Sequence, residues 1–260
     1  MSARGAALAA TALAVALACS SFASGQTDTR RSGAEFMSPA TQAIERDDTQ
    51  NPAMLWVAEG EALWSRKAGR AGMACVDCHG DARVSMRGVA ARYPAFDAAA
   101  GRPVDLGQRV DLCAQRHQQA EPFPPESGPR LALESYVALQ SRGMPSAPPS
   151  DPRLGAWRDR GSALYRQRIG LLDLACAQCH DALPGQRLGG SVIPQAHPTG
   201  YPIYRLEWQT MGSLQRRLRS CMSGVRAEVP PYGAPELLEL EIHLMSRAAG
   251  MAVDAPGVRP

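Results

Sequence analysis

Two stretches of this chain run nearly in register: "GEALWSRKAGRAGMACVDCH", Gly60 to His79, and "GSALYRQRIGLLDLACAQCH", Gly161 to His180. Each ends in Cys-x-x-Cys-His, as Cys75-Val-Asp-Cys78-His79 and Cys176-Ala-Gln-Cys179-His180. That pentad is the attachment signature of c-type haem. Two thioether links need cysteines a short turn apart, and the histidine that follows can turn its imidazole to the iron. One such pentad in a long chain has little weight; two in matching surroundings have much more. A zinc site would need further ligands at suitable spacing, and no such set stands out.

The match extends beyond the pentads. At the Cys75-to-Cys176 offset of 101, Gly60 pairs with Gly161, Leu63 with Leu164, Trp64 with Tyr165 and Gly69 with Gly170. Further on, "LESYVALQSR" (Leu133 to Arg142) resembles "LELEIHLMSR" (Leu238 to Arg247) at an offset of 105. A module of roughly 100 residues used twice agrees with the two domains that 260 residues suggest. Asn51 and Pro52 read as the cap and first position of a helix. A last helix runs from Pro235 to a stop at Gly250, with Leu238, Ile242 and Met245 striped for core packing, partly against haem. No alternating strand pattern appears. The expected fold is mainly α: two tandem cytochrome c-like domains related by internal duplication. The first spans 50–145 and the second 156–260. A linker, 146–155, lies within the proline-rich "MPSAPPSDPRLG".

Composition narrows the class. A formal charge of +3 is too small to argue for nucleic acid. Aromatics are only 5% of the chain, so a bound cofactor could supply missing apolar bulk. The first 25 residues, "MSARGAALAATALAVALACSSFASG", carry one positive charge at Arg4, an apolar run and small residues that suit cleavage after Ala23. This reads as a signal peptide at 1–25, without a twin arginine, for export to the periplasm. Its apolar run is short for a membrane span. Cys19 is an alternative lipid-attachment point.

Two cysteines remain, Cys113 and Cys221, one after each pentad. Each is followed shortly by an Ala-Glu pair, Ala120-Glu121 and Ala227-Glu228. Equivalent places suggest equivalent tasks, and thiolate ligation of the sixth iron position is the natural one. A Cys113–Cys221 disulfide stays open beside it, as do methionine or histidine ligands (His117, His197 and His243). A thiolate makes iron harder to reduce, which a plain electron shuttle does not require. The surroundings of Cys221, "RRLRSCMSGVRAE", are rich in arginine. Such groups bind small dianions and lower a thiol pKa. Arg217, one helical turn before Cys221, is the first candidate to bind an anion, and Arg226 the second.

These features, above all "HPTGYPIYRLEWQTMGSLQRRLRSCMSGVRAE" (His197 to Glu228) and "LQSRGMP" (Leu139 to Pro145), resemble the A subunit family of the Sox thiosulfate-oxidising cytochrome complexes, in its dihaem form. The resemblance covers nearly all of the chain after the signal segment. It implies two covalent haems: one on Cys75 and Cys78 with axial His79 and Cys113, the other on Cys176 and Cys179 with axial His180 and Cys221. It implies that Cys221 is the active residue, carrying a persulfide, and that Arg217 holds substrate. It implies a heterodimer with a small monohaem cytochrome X-type subunit. The activity implied is that of an L-cysteine S-thiosulfotransferase. Thiosulfate is joined oxidatively to a cysteine of a YZ-type sulfur carrier, and two electrons leave to a soluble c-type cytochrome. The competing expectation is a dihaem electron-transfer cytochrome without its own substrate. His117 differs from the more usual residues of the family at that place.

Overall fold

The structure, a computed structural model, describes residues 28–260, so the expected signal segment and Cys19 lie outside the described residues. After a 3-10 turn, Gly33–Phe36, comes helix α1 (Pro39–Arg46), whose first turn is capped by Ser38 Oγ accepting from Thr41 N at 3.2 Å. Helix α2 (Met54–Ser65) starts later than Asn51-Pro52 suggested. Asn51 Oδ1 accepts from Ala53 N at 2.9 Å, closing a turn ahead of the helix. The first pentad is itself a short helix, α3 (Cys75–His79), followed by α4 (Ala82–Ser85). A hairpin of β1 (Ala95–Asp97) and β2 (Arg102–Val104) leads into α5 (Leu106–Cys113), which continues as a π-helical turn, Ala114–Gln118. Helix α6 (Gly128–Leu139) closes the first unit.

The second unit repeats the theme. Helix α7 (Gly155–Arg166) leads to α8 (Cys176–His180), the second pentad. A small hairpin, β3 (Arg187–Leu188) with β4 (Ser191–Val192), follows. Next come β5 (Ile203–Arg205), β6 (Thr210–Gly212), α9 (Leu214–Gly224) and α10 (Pro235–Arg247). The tail returns as β7 (Gly257–Arg259), parallel to β5, in a three-stranded sheet of order β6-β5-β7. These strands correct the expectation of no strands. With two or three residues each, they are too short to print an alternating pattern.

Each unit is built on one close helix pair. A side chain at Gly60 on α2 would put its Cβ 2.1 Å from the Ala132 carbonyl oxygen on α6. At Gly161 on α7 it would lie 1.9 Å from the Glu239 oxygen on α10. These glycines let the helix backbones touch. They also set a register: Ala132 corresponds to Glu239, and Tyr136, which lines Gly60, corresponds to His243, which lines Gly161. That pairing is two residues out from the match of "LESYVALQSR" to "LELEIHLMSR", because backbone approach, not side-chain likeness, decides which turns meet.

The loops before the pentads are held alike. Ala71 N and Arg70 N donate to the carbonyls of Gln118 and Gln119; Leu172 N and Leu171 N donate to those of Val225 and Arg226. Gln119 and Arg226 both take positive φ, 55° and 59°. The first unit has one residue more between its cysteine and this turn, and the π-helical turn absorbs it.

The stripe on α10 divides its work differently from the expectation. Leu238 and Ile242 pack with Leu154, Trp157 and Phe96, while Leu240 and Leu244 face Cys176, Leu218 and Met222. The proline-rich stretch is pinned to the tail. Ser146 N donates to the Met251 carbonyl and Gly250 N to the Ser146 carbonyl, both at 2.7 Å. Beyond it, Val253 and Ala255 pack on Ala91 and Ala138 of the first unit.

Candidate haem and anion site

All six cysteines of the described chain are free, so Cys113 and Cys221 are not joined to each other. Among the described residues, no group of three or more His, Cys, Asp and Glu side chains is arranged to hold a bare metal ion.

The second pentad sits in a prepared chamber. Helix α8 starts with Gln178 Oε1 accepting from Ala175 N at 2.7 Å, which holds the first turn closed. His180 Nδ1 lies 2.7 Å from the Pro194 carbonyl oxygen. A carbonyl only accepts, so Nδ1 carries the proton and Nε2 keeps its lone pair free for a metal. Burial holds the imidazole below its ordinary pKa, which keeps that lone pair available. Apolar side chains (Leu164, Ala196, Leu218, Leu244) gather beside Cys176. Burial, reinforced by the neighbouring Cys221, pushes the Cys176 thiol up to about 11. Cys221 stands on α9 within reach of Cys176, and α9 is capped by Ser213 Oγ accepting from Arg216 N at 3.2 Å. Ligand-competent His180 and the free thiol Cys221 line one cavity, as do Arg217, Tyr201, His197 and Arg205. The run Ser191 to Tyr201 and the segment Gly33 to Met37 cover it.

The arginines of α9 separate by task. Arg216 lies over the Trp208 ring at 4.2 Å and donates to the Met211 carbonyl at 3.2 Å. Arg219 stacks on Tyr232 and donates to the Pro230 carbonyl. The Arg217 guanidinium makes no hydrogen bond or ion pair with any described side chain or backbone group and lines the cavity. Arg226 is exposed on the left-handed turn after α9 and does not line the cavity. Tyr201 and Arg205, which also line it, carried no separate signal in the sequence; His197, an alternative ligand there, lines it too, with its Nδ1 2.9 Å from the Arg31 carbonyl oxygen. Arg205 reaches the site because β5 pairs between β6 and β7.

The first pentad has the same elements in a more open setting. His79 and Cys78 are exposed. The His79 ring lies 5.7 Å from Trp64, whose Nε1 donates to the Gly80 carbonyl at 2.9 Å. Val57, Trp64, Tyr136 and Val137 form the apolar bed beside Cys75. Burial pushes both the Cys75 and the Cys113 thiol up, with neighbouring Cys113 adding to the rise at Cys75. Arg109 and Arg116 stand near Cys113 but are spent on Asp97, at 2.7 and 3.0 Å. His117 is exposed on the π-helical turn. The first site therefore has the ligands of the second without its free guanidinium.

Both sites fit covalent haem. Each has two thiols on one helical turn, a histidine directly after them and an apolar bed; at the second, the His180 tautomer is also fixed. The fold and these sites define a c-type cytochrome. Residues 59–146 match the SoxA/TsdA cytochrome c domain. Over 88% of its length the chain is 38% identical to the L-cysteine S-thiosulfotransferase subunit SoxA of Pseudaminobacter salicylatoxidans, covering 80% of that protein. It is 34% identical to the SoxA of Rhodovulum sulfidophilum, covering 89% of the chain and 81% of the relative. The solved SoxXA structure from P. pantotrophus superposes with a TM-score of 0.85 at 31% identity, covering 89% of this chain and 87% of that one. The chain belongs to the SoxA family of L-cysteine S-thiosulfotransferase subunits, haem-bearing proteins of sulfur oxidation.

Proposed function

We propose that this chain joins thiosulfate oxidatively to a cysteine of a sulfur-carrier protein, with Cys221 as the acting residue. The observation that carries the assignment is the convergence of Cys221, ligand-ready His180 and the unpaired cation of Arg217 on one cavity. The overall step forms one S–S bond: thiosulfate and a carrier thiol give a cysteine S-thiosulfonate, one proton and two electrons. Among the described residues, Cys221 is the one thiol that lines this cavity.

In this reading Cys75 and Cys78 would hold one haem, with His79 and Cys113 as candidate ligands to its iron. Cys176 and Cys179 would hold the other, with His180 and Cys221. When bound, the haems supply redox-active iron that can take up electrons one at a time. The protein's own part is to bind and orient. Pro194 fixes the His180 ring, Arg217 holds the dianion by charge-assisted hydrogen bonds, and the covering run excludes water. Sulfur on Cys221 is polarizable and nucleophilic, suited to act on the outer sulfur of thiosulfate. Arg226, outside the cavity, has no part in it.

The likeness to a solved SoxXA structure supports a heterodimer with a small cytochrome X-type subunit. A YZ-type carrier and a soluble cytochrome c complete the proposed set of partners, in the periplasm. No helix among the described residues is long and apolar enough to cross a membrane. The shared glycine contacts and positive-φ turns support descent of the two units (50–145 and 156–260, joined by 146–155) from one duplicated module.

The test is Cys221→Ala in the haem-loaded complex. The expected result is loss of thiosulfate-dependent cytochrome reduction with both haems still attached. Turnover close to that of the parent would remove Cys221 from the reaction.

A further inference from the structure

The cavity at Cys221 holds a second cation with spare capacity. Arg205 ends strand β5 and is only 7% exposed, yet its guanidinium donates no well-aligned hydrogen bond to any described group. Its Nε is buried without a hydrogen-bond partner. Glu207 Oε1 is ion-paired with that nitrogen at 2.8 Å, and Glu207 is half exposed. The Trp208 ring centroid lies 5.2 Å from the guanidinium carbon. Arg205 lines the same cavity as Arg217 and Cys221.

The third arginine there, Arg259, makes a useful contrast. It is paired with both Glu45 and Asp254. Arg205 and Arg217 share only Glu207 as a nearby carboxylate, and no Asp or Glu among the described residues lines the cavity. Burial and the charge of Arg217 both press the Arg205 pKa down, as two neighbouring cations with too little counter-charge require. Buried cations need anionic partners, which in this cavity a substrate sulfonate or a haem carboxylate can supply. The free Tyr201 hydroxyl, beside both arginines, adds a neutral donor.

We propose that Arg205 and Arg217 form a two-armed clamp for the sulfonate end of thiosulfate, with Arg205 a substrate-binding residue that leaves the outer sulfur facing Cys221. Two planar forks around one tetrahedral oxyanion satisfy its oxygens and neutralise both of its charges. The inference deepens the reading of Cys221 as the acting residue and rests on it.

The experiment measures binding of thiosulfate, and of unreactive sulfate, to the haem-loaded heterodimer by calorimetry, without carrier. Haem content and the visible spectrum are recorded on the same samples. Arg205→Gln is expected to weaken both anions ~10- to 100-fold, the loss typical of a charge-assisted contact. Arg205→Lys should keep part of the affinity. Glu207→Gln, an exposed change that threatens folding little, should tighten binding severalfold by freeing the clamp from its one neighbouring carboxylate. In turnover, Arg205→Gln should raise KM far more than it lowers kcat. Unchanged anion affinity in Arg205→Gln would overturn the proposal. If that result came with altered haem content or spectrum, Arg205 would instead be assigned to a haem carboxylate. Failure of the underlying reading shows separately, as turnover in Cys221→Ala, because the binding measurement needs no sulfur chemistry.

Discussion

One thiol and one guanidinium distinguish the second cytochrome unit from the first. Cys113 and Cys221 occupy corresponding helices, and both have arginines close by. At Cys113 those arginines are neutralised by Asp97, which they hold well below the usual carboxylate range. At Cys221 the guanidinium of Arg217 has no such partner among the described residues. Replacement of Arg217 by Ala should therefore raise the KM for thiosulfate by about 10- to 100-fold, with haem loading intact. Steady-state kinetics with a pyridine haemochrome assay would check both halves; a fall in haem content would make Arg217 structural. Arg226→Ala should change KM less than about twofold, as befits an exposed side chain outside the cavity. The cysteines, histidines and Arg217 were legible in the sequence, since their types and spacing carry the chemistry. Arg205 and Tyr201 were not, because nothing local marks a strand residue whose neighbours lie on a distant helix and a returning tail.

At the level of helices, the two units depend on glycine at one crossing each. Gly161→Ala would drive a methyl into the Glu239 carbonyl on α10, and Gly60→Ala into the Ala132 carbonyl on α6. Backbone cannot move aside as a flexible side chain can, so each helix pair must part. Each change is expected to cost about 1–3 kcal/mol or more. The check is the urea midpoint of the haem-loaded protein; an unchanged midpoint would mean that the pairs are looser than they look. The repeat at Gly60 and Gly161 was visible in the sequence. The register of α6 against α10 was not: likeness of side chains favoured one alignment and the closest backbone contacts chose another, two residues away. The small strands were also invisible, being shorter than any period they could show.

Across the whole molecule, the two units meet around a cavity of about 490 Å³ whose lining includes Asp105, Asp111, Glu134 and Glu241, with Arg130 among them. Arg130 pairs with Asp105, Asp111 and Glu134, so one cation faces more carboxylates than it can neutralise. Burial pushes Glu134 up to about 8 and holds Glu241 well above the usual carboxylate range. A carboxyl whose folded pKa is raised binds its proton more tightly in the folded state. Its contribution is fully present below about 4.5 and is lost as pH rises through about 8. Unfolding in urea should show lower stability at pH 8.5 than at pH 5.5, by on the order of 1–3 kcal/mol. Glu134→Gln should flatten that slope; a slope unchanged in the variant would place the titrating group elsewhere.

By itself, the sequence determined the two Cys-x-x-Cys-His pentads, the repeat around them and the cysteine that follows each, because covalent haem attachment demands fixed residue types at fixed spacing. Tertiary structure decided which of the two matching cysteines faces unpaired positive charge. Charge compensation is set by neighbours brought together in space. Asp97 reaches Arg109 and Arg116 through a hairpin turn, whereas Arg205 reaches the Cys221 cavity through a strand held between β6 and the returning tail.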